Sequence, residues 1–119
     1  MAKVKANEYL ESQIEEHCQM VQRGAKPLSL LPHQERYYDE VVRIINKYGL
    51  YYSSELNSEG WRTIYIYKNK TLKYLIAELP IKPEKPSEHA LIGYLLGYDT
   101  NSICDYILGN CELEEPNFI

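Results

Sequence analysis

Phenylalanine and tryptophan are nearly missing from this sequence: it has one of each, Phe118 and Trp61, beside twelve tyrosines. A core that needs rings must therefore use tyrosine, whose polar tip suits half-buried and interfacial positions. No apolar run approaches the ~20 residues that cross a bilayer as a helix, and the opening Met1-Ala2-Lys3-Val4-Lys5 leads into a polar stretch rather than an apolar signal core. A cytoplasmic protein with no membrane partner is the expectation. The cysteines, Cys18, Cys104 and Cys111, are odd in number and widely spaced, with no C-x₂-C pair. That suits a reduced compartment in which they serve as small apolar fillers.

The motifs that carry chemistry are also absent. There is no P-loop, no G-x-G-x-x-G and no G-x-S-x-G, so the turns that cradle phosphate or present a nucleophile have no counterpart. His17, His33 and His89 join the cysteines, but no H-x₃-H or H-E-x-x-H spacing occurs. His17 and Cys18 point about 100° apart on a helix, which makes shared coordination awkward. Cys104 and His89 fall on neighbouring predicted helices without a glycine-rich oxyanion loop beside them. The close carboxylates Glu11, Glu15 and Glu16 sit on a solvated helix face. The expectation is a non-enzymatic protein with no cofactor and no metal.

What is present fits one globular domain. A chain of 119 residues buries roughly two-thirds of the surface it exposes when unfolded, enough to fold without a staple. The net charge is -4, unevenly distributed. Residues 61–85 carry Arg62, Lys68, Lys70, Lys73, Lys82 and Lys85 against Glu78 and Glu84. From residue 86 onward there are six acids (Glu88, Asp99, Asp105, Glu112, Glu114, Glu115) and no Lys or Arg. A basic middle and an acidic end are expected to compensate each other within the fold; the alternative is two faces for different partners.

Periodicity predicts an α+β fold. Leu10, Ile14, Cys18 and Val21 recur at helical spacing over 5–23, and Gly24 is a stop. Residues 25–32 read as a connector pinned by its leucines, with Pro32 opening a second helix that runs to Tyr48. Tyr37, Val41, Ile44, Ile45 and Tyr48 form its apolar stripe. The period then changes to two. Residues 50–56 and 61–68 read as strands joined at Asn57-Ser58-Glu59-Gly60, an antiparallel hairpin with Trp61, Thr63, Tyr65 and Tyr67 on one face and Ile64 and Ile66 on the other. A short helix over 71–79, capped by Thr71 and ended by Pro80, follows. After the stiff connector 81–86, Ser87 caps a helix closed by Gly97, and Asp99 caps another closed by Gly109. Residues 110–119 read as a loose acidic tail unless Phe118 finds a docking site.

The densest pattern is the run from Glu88 to Asp99. His89, Gly93 and Leu96 share a helical face, and Gly93 removes a side chain where another backbone could approach. Two readings follow: a tight helix corner built by turn chemistry, or a groove lined by His89 and Tyr98 beside Gly93. His89, Gly93, Leu95, Leu96, Gly97 and Tyr98 spell H-x-x-x-G-x-L-L-G-Y. Over residues 61–108 the chain resembles small uncharacterised prokaryotic and phage proteins that carry this pattern near the C-terminus, with Asp99 where they have proline. The resemblance implies a prokaryotic or mobile-element origin and no particular activity.

The candidate binding residues are Trp61, Arg62, Tyr65, Tyr67, His89 and Tyr98. The leading expectation is a phage- or mobile-element-encoded regulator or inhibitor that binds a protein partner, with Tyr65 and Tyr67 on the contact surface. Homodimerisation through a strand edge bearing Tyr51, Tyr52, Tyr65 and Tyr67 is a related expectation. One alternative is a small-molecule, nucleotide-like ligand held between Trp61 and Tyr98. A further alternative is weak single-stranded nucleic-acid binding, with Trp61, Tyr65, Tyr67 and Tyr74 interleaved with Arg62, Lys68, Lys70 and Lys73. Negative charge opposes it.

Overall fold

The computed structural model describes residues 2–79 and 83–113. Helix α1 (Ala2–Gln22) buries Ile14, Cys18 and Val21 on one stripe. It ends at Gly24, whose φ of +76° lets Ala25 N–H donate to Met20 O and Gly24 N–H to Val21 O. Burial pushes the Cys18 thiol up to about 11, which makes it an apolar filler rather than a nucleophile.

The segment expected to be a connector and the start of a helix is instead a strand, β1 (Leu28–Gln34). Pro32 lies inside it, opposite Thr63. An edge strand tolerates a proline whose nitrogen faces away from its only neighbour, because no ladder bond is lost. A single 3-10 turn (Glu35–Tyr37) leads into α2 (Tyr38–Lys47), which buries Val41, Ile44 and Ile45. The second helix therefore starts six residues later than Pro32 suggests.

Strands β2 (Tyr51–Ser58) and β3 (Trp61–Tyr67) form the expected antiparallel hairpin, with a register shift between Leu56 and Ser58. The hairpin is two-thirds of a three-stranded antiparallel sheet in the order β1-β3-β2. β3 is thus central, and both of its faces are used. On one face Ile64 and Ile66 pack with Leu31 and Tyr52 against Ile14, Cys18, Val21, Val41, Ile44 and Ile45 of α1 and α2. On the other, Leu28 and Tyr67 meet Leu95, with Leu72, Leu75, Ile76 and Leu79 around them. Most of those four belong to α3 (Leu72–Glu78). Thr71 is the N-cap of α3, as expected, but its side chain makes no capping bond. It is held instead by Asn69, whose side-chain oxygen accepts from the Thr71 N–H at 3.1 Å and hydroxyl at 2.7 Å. The helix stop expected at Pro80, the start of the 81–86 connector and the docking of Phe118 lie outside the described residues. No helix among the described residues is long and apolar enough to cross a membrane.

One polar contact ties α1 to the sheet. His17 Nδ1 is hydrogen-bonded to the hydroxyl of Ser29, which is fully buried on β1. Burial lowers the His17 pKa from its ordinary value of 6.5; Lys26 adds to the effect and Glu16 opposes it.

Two outcomes follow for stability. Tyr67 is 3% exposed and its hydroxyl shares a hydrogen bond of 2.8 Å with Ser53. Tyr67→Ala is expected to cost about 3–5 kcal/mol, whereas Trp61→Ala, at a site 44% exposed, should cost under about 1 kcal/mol; urea denaturation measures both. The His17 shift sets a pH dependence. The folded state binds the proton less readily than the unfolded chain, so His17's contribution is full above its unfolded pKa near 6.5 and is lost as pH falls below it. The melting temperature should drop between pH 7 and pH 5 (about the range a histidine covers), and His17→Gln should flatten that slope. An unchanged slope in the variant would remove His17 as the cause.

Candidate functional site

The last two helices, α4 (Pro86–Leu95) and α5 (Thr100–Asn110), form a hairpin. Proline at the first position of α4 suits a residue whose missing N–H would be unpaired anyway. The helix is capped by the Glu88 carboxylate, which accepts from Lys85 N–H at 2.9 Å and Glu84 N–H at 3.2 Å. Ser87, the expected cap, lies inside the helix. The turn is built by Gly97, with φ +85°, and by Asp99, whose carboxylate accepts from the Ser102 N–H at 2.8 Å and hydroxyl at 3.1 Å. These bonds hold the Glu88 and Asp99 carboxyls below their usual range, so both stay charged. α5 runs one residue past Gly109, the expected stop, because nothing there demands a left-handed residue.

Two glycines set how closely the hairpin packs. A Cβ on Gly93 would sit 2.8 Å from Ile103 Cγ1 and 3.1 Å from its Cδ1, so the absence of a side chain lets α5 lie against α4. A Cβ on Gly97 would lie 2.7 Å from Lys26 Cβ, in the loop between α1 and β1. Leu95 is the anchor of the hairpin in the sheet-side core, beside Leu28 and Tyr67. At the far end the Cys111 thiol approaches the Glu84 carbonyl at 3.9 Å.

Between the helices runs a groove of about 420 Å³. Gly93, Ile92, Leu96 and Ile103 supply its apolar lining, and His89, Tyr98, Ser102, Tyr106 and Pro83 complete it. The His89 and Tyr106 rings meet at 5.2 Å with a tilt of 55°. A more open cleft of about 540 Å³ lies elsewhere, around Lys26, Lys68 and the end of α1. There Lys68 Nζ donates to the Gln22 carbonyl, an ordinary way to satisfy a helix C-terminus.

Of the sequence-predicted residues, the structure brings His89 and Tyr98 into one groove. The other four lie on β3, outside it. Trp61 and Tyr65 share a sheet face, but Arg62 points to the opposite one. Its guanidinium lies 4.9 Å from the centre of the Tyr38 ring and donates to Glu35 at 3.1 Å and Ser54 at 3.4 Å. Tyr67 is buried, so it offers no partner surface. Tyr65 is half-buried and donates to Glu55 at 2.8 Å; burial and that carboxylate push its hydroxyl up to about 12. Because β3 is central, Tyr65 and Tyr67 are also not on an edge; the edges belong to β1 and β2, and β2 carries Tyr51 and Tyr52. The pocket expected between Trp61 and Tyr98 does not form. Trp61 is at the opposite end of β3 from Tyr67, roughly 20 Å along the strand, and it is Tyr67 that lies beside the hairpin. The aromatic and basic stripe expected for nucleic acid is likewise dispersed, since Arg62 is paired and Tyr67 buried.

Sequence reading missed Tyr106, Ile103, Ser102 and Pro83. The spacing of Ile103 and Tyr106, three apart on a helix, was the available signal, but only the Gly93–Ile103 contact shows which face meets α4.

That contact generates a test. Gly93→Ala should destabilise the protein by about 1–3 kcal/mol through overpacking. In combination with Ile103→Ala, which removes the atoms it strikes, the cost should fall below the sum of the two single changes. Additivity in the denaturation cycle would show that the helices are not held together by this contact. No protein-family model matches the chain, and no curated protein matches its sequence.

Proposed function

We propose that this chain is a non-enzymatic regulator or inhibitor that works by binding another protein, and that its working surface is the α4–α5 hairpin with its groove. One observation carries the reading. The exposed large apolar side chains among the described residues concentrate there: Leu91, Tyr94, Tyr98, Tyr106, Leu108 and Leu113, at 40% to 68% exposure. Tyr98 and Tyr106 line the groove and the other four lie elsewhere on the hairpin. Exposed apolar surface gathered on one element is what protein interfaces use, and tyrosine is enriched at their centres. The contact surface thus moves from the sheet, where sequence reading put Tyr65 and Tyr67, to the C-terminal helices. A small molecule is the second reading, favoured by the groove's size, which lies in the usual range for ligand pockets of about 300–1,000 Å³. Among the described residues no Lys or Arg lines the groove, so that ligand would be apolar rather than a nucleotide.

The test is site-specific photo-crosslinking in the native host. A photoreactive residue at Tyr98 or Leu108 should yield one discrete protein adduct, and one at Leu56, exposed on the distal sheet, should not. The double change Tyr98→Ala, Tyr106→Ala should abolish the adduct while leaving the melting temperature nearly unchanged, since both rings are more than half exposed. Equal labelling from Leu56 would move the surface, and no protein adduct together with a mass increment of a few hundred daltons would favour the small ligand.

A further inference from the structure

The groove's surroundings limit what it can receive. Among the described residues no ion pair joins the basic middle to the acidic end, although Lys85 helps hold the Glu88 carboxyl low. All ion pairs among the described residues lie between residues 11 and 62: Arg43 with Glu11 and Glu40, Lys47 with Glu15, and Arg62 with Glu35. Glu84, Glu88, Asp99, Asp105 and Glu112, which flank the lining residues Pro83, His89, Tyr98, Ser102 and Tyr106 or follow α5, pair with no cation there. Glu88 and Asp99 are held by the N–H groups of helix starts. Asp105 and Glu112 have no such partner and are exposed. The hairpin itself, residues 86–113, contains these last four acids and neither Lys nor Arg; Lys85 is the nearest cation in sequence.

Lys26, beside Gly97, and Lys85, which helps hold the Glu88 carboxyl low, flank the two ends of α4, whereas Asp105 and Glu112 have no such cation among the described residues. An apolar groove with that negative flank disfavours nucleic acid, anionic lipid and acidic peptides alike. It attracts a chain that offers apolar anchors and positive charge together. From this charge complementarity we infer that the occupant of the α4–α5 groove is a basic amphipathic helix of a partner protein, its apolar side chains in the groove and its Lys or Arg residues against Asp105, Glu112 and the Asp99 end. The inference rests on the protein-binding reading above and specifies its partner. Such helix-in-groove recognition reads anchors at i, i+3, i+4 and i+7, and its flanking charges set association rate and selectivity. The outer face of α3, with Lys73 and exposed Tyr74, and Lys70 in the turn before it, is the basic surface that a second copy could offer. Its apolar residues Leu72, Leu75 and Ile76 are already packed against the core, however, which leaves no anchors to insert.

The full chain is titrated against three fluorescent peptides of about four helical turns, about 14 residues: a Leu/Lys amphipathic helix, the same helix with Glu for Lys, and a Lys-rich peptide with Ser for Leu. The first should bind at low salt, weaken at least about tenfold at high salt, and lose about tenfold more on Asp105→Lys, Glu112→Lys. Tyr98→Ala, Tyr106→Ala should weaken it comparably, and the other two peptides should not bind. Circular dichroism confirms that each variant stays folded. Equal binding of the Leu/Lys and Leu/Glu helices would overturn the charge selectivity while the groove reading stands. Equal binding of the Leu/Lys and Ser/Lys peptides would show attraction without insertion and overturn the inference. No peptide binding with hairpin crosslinks retained would overturn the inference alone; loss of both would remove the protein-binding reading too. A mass that doubles with concentration, and that Asp105→Lys, Glu112→Lys returns to monomer, would replace the foreign helix with a second copy.

Discussion

The structure depends on β3 being covered on both faces. Ile64 and Ile66 are fully buried on one side and Tyr67 is nearly so on the other. A two-stranded hairpin alone is marginal in water. Here β1 makes a third strand, α1 and α2 cover one face, and α3 with the root of α4 covers the other. Since β3 cannot shift by one residue without exchanging its isoleucines for its tyrosines, the two cores fix each other's register. They also place the C-terminal hairpin, because Leu95 joins the core that Tyr67 and Leu28 begin.

From that root outward the hairpin has little further support. Ile103 and Leu95 are its buried side chains, and most of its other large residues face solvent. Its shape is instead set by backbone chemistry: a proline start, two carboxylate caps and glycines at the contact and the turn. A rigid frame with uncommitted apolar side chains is suited to recognition, because little ordering entropy remains to be lost on binding. The groove and the negative field around it follow from this one region. Arg62 and Lys68 are engaged elsewhere, Lys73 lies on α3 and Lys85 stands beside Glu88 at the start of α4, which leaves Asp105 and Glu112 without an ion pair among the described residues.

Legibility in the sequence varied with how local the cause was. The α5 cap at Asp99, the turn at Gly97, the stop at Gly24 and the β2–β3 hairpin depend on neighbours within a few residues, and each was visible. The strand β1 was not, since Pro32 mimics the opening of a helix and only an edge position makes a proline acceptable in a sheet. The same omission misplaced the tyrosines. With two strands, Tyr65 and Tyr67 read as a free edge or face; with β1 added, their strand is interior. A groove lined by His89 and Tyr98 was one of two readings of a single helical corner, and both residues do line one.

The sequence by itself determined the α+β class, the stop at Gly24, the corner at Gly97 and Asp99, the alternation of β3 and the segregation of charge, all of which follow from local backbone preference and residue order. Tertiary structure decided which face each strand turns to solvent, which tyrosines are core and which are surface, and that no ion pair joins the acidic end to the basic middle among the described residues. These depend on contacts between residues far apart in the chain, such as Leu28 with Tyr67 and Gly93 with Ile103, where no local propensity specifies the partner.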